Sequence, residues 1–116
     1  MKENIGFPDA KQKLSNWKDT FDGFSSKKTS SLPLSLLKFE DSELGSWFIS
    51  KVEANLPDND NAKKLGFYIK KNLLIANDIY ELTVKKDDYL PEYLTEEFSS
   101  SYNMILKFMD ALEGEL

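Results

Sequence analysis

Residues 60–84 read DNAKKLGFYIKKNLLIANDIYELTV, and the spacing of their apolar side chains decides the fold. Leu65, Ile69, Leu73, Ala76 and Tyr80 recur every three or four positions, which stacks them along one side of an α-helix. Tyr68, Ile75, Ile79 and Leu82 form a second stripe beside the first. The combined face is wider than one neighbour covers, so a central helix with packing partners on two sides is expected. A β-hairpin pairing Phe67–Ile75 with Ile79–Val84 is the competing reading. Asn77-Asp78 is a poor two-residue turn, because such hairpins favour a glycine there, and the helical spacing persists for about five turns. The helix is the stronger expectation.

Asp58-Asn59-Asp60-Asn61, just upstream, opens like a calcium-binding loop. The likeness stops there. Ala62 fills the fifth position, Lys63 the place of the required glycine, and Ile69 that of the bidentate glutamate. The stretch is instead a turn in which Asp60 or Asn61 is expected to cap the helix. Lys85-Lys86-Asp87-Asp88 breaks the apolar pattern at the other end.

Working outward, Ala10, Leu14, Trp17, Phe21 and Phe24 define a first helix from Pro8 to Phe24. Gly23 and the small polar run from Ser25 to Ser31 stop it, since those side chains offer the backbone competing hydrogen bonds. Leu32, Leu34 and Leu36 alternate like a strand, but Pro33 cannot donate to a ladder. Leu32–Phe39 is therefore expected to lie over the core as an extended or single-turn segment. Asp41 is expected to cap a short helix carrying Leu44, Trp47, Phe48, Ile49 and Val52, which ends near Asn55-Leu56-Pro57. Pro91 suits the first turn of a last helix, where its missing N–H is harmless. Leu94, Phe98, Tyr102, Ile105, Met109 and Leu112 keep that helix in phase to the end, and Ser99-Ser100-Ser101 predicts a bend in it. The sum is an all-α single domain over residues 1–116, a small antiparallel four-helix bundle with an extended 25–40 segment.

Composition narrows the chemistry. Apolar residues make up 41% of the chain and charged residues 30%, which suits a folded domain. Cysteine and histidine are absent and all fifteen basic residues are lysines, so the best nucleophile, the commonest general base and the usual zinc ligands are missing. Glu92 and Glu96 stand one turn apart, yet a bundle dimetal site also needs histidines. No catalytic residue, metal site or cofactor is expected. The segment Met1–Pro8 has no apolar run or small-residue cleavage site, so a cytoplasmic protein is expected.

Charge gives the positive signal. Residues 1–57 are balanced, with eight acidic and eight basic side chains. Residues 87–116 hold eight carboxylates against Lys107 alone, a net charge of −7. Such a field repels nucleic acid and anionic membrane and attracts basic proteins. Within it, Asp87, Asp88, Tyr89, Glu92, Tyr93, Glu96 and Glu97 interleave acids with phenol rings, which combine large contact area with a polar tip. Those seven residues are the expected partner-binding site. The expected function is inhibition of a cognate basic toxin, as by an immunity protein or antitoxin; the alternative is a structural or regulatory helical adaptor or a phage-encoded anti-defence protein, gripping its partner by an apolar groove with Leu32–Phe39 as a flap.

Overall fold

A computed structural model describes residues 2–25, 32–84 and 91–116. The described residues form four main helices: α1 (Phe7–Ser25), α2 (Glu43–Trp47, continuing as a π-helical turn over Phe48–Glu53), α3 (Asp60–Val84) and α4 (Glu92–Glu115). A short turn, Lys2–Ile5, precedes α1. The residue 60–84 segment is one unbroken helix, so the hairpin reading falls. No described helix is long and apolar enough to cross a membrane.

Side-chain pairs fix the directions of the helices. Tyr68 stacks on Phe108 at 5.6 Å, Asn72 bonds to Ser101, and Asn61 donates to Glu115, so α3 and α4 run antiparallel. Lys11 pairs with Asp110 and Glu113 while Phe21 stacks on Phe98 at 4.8 Å, which sets α1 antiparallel to α4. Trp17 reaches Asn72 and Phe24 reaches Tyr80, so α1 and α3 share a direction. Helices α1 and α3 thus run one way and α4 the other, as in the expected antiparallel helical bundle.

The core has two ends. At one, Phe7, Leu14, Trp47, Phe48, Leu65, Ile69 and Met109 pack where all four helices meet. At the other, Phe21, Phe24, Leu32, Ile79, Leu94 and Phe98 pack without α2. Leu32 is buried and Leu34–Leu37 forms one 3-10 turn, so the segment over the core takes the single-turn form. Its predicted stretch at residues 26–31 lies outside the described residues.

Three local expectations need correcting. Ser42, not Asp41, caps α2: its hydroxyl accepts from Gly45 N at 3.0 Å. Asn59, not Asp60 or Asn61, caps α3, its Oδ1 accepting from Ala62 N at 2.9 Å. In both cases the cap must stand three residues before the donor it satisfies, and an adjacent Asp, Ser or Asn is chemically equivalent in the sequence. Ile49 was expected on the apolar face but is 37% exposed. The π turn, closed by i→i+5 hydrogen bonds, changes the phase of the helix and carries Ile49 outward while Phe48 and Val52 stay buried.

Two glycines permit that packing. A Cβ on Gly45 would stand 1.7 Å from the Phe39 carbonyl oxygen, and one on Gly66 would stand 2.5 Å from the Phe48 ring. Helix α3 is thus bare where α2 crosses it. Gly66→Ala is expected to destabilise the fold by about 1–3 kcal/mol through overpacking. Gly114→Ala, whose Cβ would meet nothing within 4 Å, should stay within about 0.5 kcal/mol of the parent. Urea melts of the two variants check the contrast.

Candidate functional site

Helix α4 turns Leu94, Phe98, Ser101, Ile105, Met109 and Leu112 to the core. Helical geometry leaves Glu92, Tyr93, Glu96 and Glu97 outside that stripe, and all four are exposed, Tyr93 by 59%. A shallow depression follows them along the helix, lined by Thr95, Glu96, Ser99, Ser100, Asn103 and Met104. Thr95 donates to the Glu92 carbonyl at 2.8 Å, and Pro91 accepts from Leu94 N, which close the first turn. Carboxylates here also face the positive end of the helix dipole, so the fold tolerates their crowding. Asp87, Asp88 and Tyr89 lie outside the described residues.

The six described acids of the tail do not form one surface. Asp110 and Glu113 clamp Lys11 at 2.8 and 3.2 Å, and those hydrogen bonds, Asp110 first, raise the lysine pKa above its usual value. Glu115 accepts from Asn59 and Asn61. The chain's own groups therefore occupy the acids of the C-terminal turns. Among the described residues, Glu92, Glu96 and Glu97 have no ammonium within ion-pair distance. No three described acids converge as a metal-binding group.

Two features escaped the sequence reading. Asn72, 1% exposed, accepts from the Trp17 indole N–H at 2.9 Å and donates to Ser101 Oγ at 3.0 Å and to the Phe98 carbonyl at 3.3 Å. The Ser101 hydroxyl in turn donates to that carbonyl at 3.0 Å. This layer bolts α1, α3 and α4 together and sets which face of α4 meets water. The polar residue inside an apolar stripe was its sequence signal. The second feature is a cleft of about 200 Å³ between α1, α2 and α3, with Trp17, Leu36, Leu44, Ile69 and Leu73 among its walls.

Comparisons with protein-family models, with curated proteins and with solved structures find no match to this chain.

Replacing Asn72 with Leu takes the acceptor from the half-buried Trp17 N–H and the donor from the buried Ser101 hydroxyl, which should cost about 1–3 kcal/mol in a urea melt. Adding Trp17→Phe to that variant removes the orphaned donor, so the double change should cost less than the sum of the two single ones. Additive losses would show that the bond contributes nothing.

Proposed function

We propose that this chain is a non-catalytic acidic binding protein, an immunity protein or antitoxin of bacterial type that acts in the cytoplasm by covering a cognate toxin with a basic surface, such as a nuclease. One observation carries the reading: Glu92, Glu96 and Glu97, without an ammonium partner among the described residues, are exposed together with Tyr93 in the first two turns of α4. Long-range attraction between such a face and a lysine- or arginine-rich target speeds their encounter, and like-charged partners are rejected. The phenol then supplies contact area at little entropic cost, with a hydroxyl left to hydrogen-bond. Asp87, Asp88 and Tyr89 adjoin this face in sequence and would extend it. Asp110, Glu113 and Glu115, engaged within the fold, stand outside the proposed contact.

A second reading is favoured by the cleft beside Leu36. There a helical adaptor, or a phage-encoded anti-defence protein, would grip an apolar segment under the Leu34–Leu37 turn. The two readings separate by mutation. With a partner captured from the native host on the immobilised chain, Glu92→Lys/Glu96→Lys/Glu97→Lys should slow association by about tenfold or more at low salt, with a smaller effect on dissociation. Added salt should shrink the difference. Unchanged affinity at low salt would remove α4 from the interface, and loss of binding in Leu36→Asp would then move it to the cleft.

A further inference from the structure

Helix α3 carries a second exposed face, opposite in sign to that of α4. Lys63, Lys64, Phe67, Lys70, Lys71 and Leu74 fall at i, i+1, i+4, i+7, i+8 and i+11, which places them together on one side. Phe67 is 58% and Leu74 68% exposed. Lys11, Lys13 and Lys18 all hold carboxylates at 3.2 Å or less, but among the described residues none of these four lysines does. Three of them lean over rings instead: Lys64 over Phe108, Lys70 over Phe39 and Lys71 over Tyr68. Beside Lys63, Phe67 and Lys70, a groove opens between α3 and the α2 π turn, with Phe48 and Leu56 in its wall. Exposed apolar bulk ringed by unneutralised ammonium groups suits an acidic, amphipathic helix. Phosphate polymers fit it less well, because the neighbouring α4 and the net charge of −5 repel them.

We infer that the occupant of this face is a second copy of the same chain, presenting its own α4 face of Tyr93, Glu96, Glu97 and Met104. Three observations select it. The charges are complementary, and Tyr93 and Met104 offer apolar partners to Phe67 and Leu74. The lengths match: Lys63 to Leu74 and Tyr93 to Met104 each cover about 16 Å of helix. The placement is the strongest of the three. The antiparallel register that sets Tyr68 beside Phe108 and Asn72 beside Ser101 puts the lysine face next to the C-terminal half of α4. It puts the acidic face next to the C-terminal half of α3, at the other end of the same two-helix layer. A two-fold axis near the middle of that layer lays each patch on the opposite patch of the second copy, a closed and self-complementary dimer. A side of at least 46 by 19 Å accommodates the roughly 800 Å² per partner that a stable interface buries. The dimer and a bound target compete for the α4 face, so self-association would hold the free protein in a latent form.

Sedimentation velocity on the full chain, from low to hundreds of micromolar, tests the dimer without any target. The parent is expected to shift from monomer to dimer across that range. Lys63→Glu/Lys64→Glu/Lys70→Glu/Lys71→Glu alone and Glu92→Lys/Glu96→Lys/Glu97→Lys alone should each stay monomeric, and the two mixed should form a one-to-one dimer. Leu74→Ser, a single exposed change, should weaken the parent dimer by about tenfold, which keeps the test open if a multiple variant does not fold. Circular dichroism verifies folding. A parent monomeric throughout, a mixture of folded variants that stays monomeric, or open-ended oligomers in place of a dimer would each overturn the inference. Salt dependence is a poor guide here, since salt screens both the face-to-face attraction and the overall repulsion of two anionic copies.

Discussion

The bundle turns on one buried amide. Asn72 sits where the two ends of the core meet, and its side chain is shared among an indole on α1 and a hydroxyl and a carbonyl on α4. Apolar stripes alone tolerate sliding, because one leucine packs much like the next a turn away. A buried amide does not, since sliding by a turn strips it of partners in a medium that offers no water. The large apolar area drives collapse, and the polar layer selects one register from those that collapse allows.

That register has consequences at the surface. Lys11 meets Asp110 and Glu113 only because α1 and α4 are held at one offset, and among the described residues the same offset leaves Glu92, Glu96 and Glu97 without an ammonium partner. The described carboxylates of α4 are thereby divided into a structural group and a group with no ammonium partner among the described residues. Lys63, Lys64, Lys70 and Lys71 on α3 are likewise left without a carboxylate partner among the described residues. Among the described residues, exposed carboxylates thus gather at the start of α4 and exposed lysines in the first half of α3.

The stripes on α1, α3 and α4 were legible because helical periodicity and burial have the same cause, and Leu14, Phe21, Leu65, Ile69, Phe98 and Met109 lie inside as their spacing demands. The outward placement of Glu92, Tyr93, Glu96 and Glu97 followed from the same periodicity. Caps were off by one residue at Ser42 and by one or two at Asn59, where several neighbours have equivalent side chains. Ile49 was misplaced because a π turn changes the helix phase without a mark in the apolar pattern. Asn72 and the α3 lysines carried no separate expectation, because a polar residue on a helix does not by its spacing reveal which partner it meets.

The sequence by itself determined the helices, their apolar faces, the bundle class and the poverty of catalytic side chains, since these depend on residue type and on spacing within one turn. Tertiary structure decided which charges cancel and which remain available. Whether an acid on α4 finds an ammonium on α1 depends on the relative offset of two segments some hundred residues apart, and no local pattern encodes that distance. It emerges only when the core closes around Asn72.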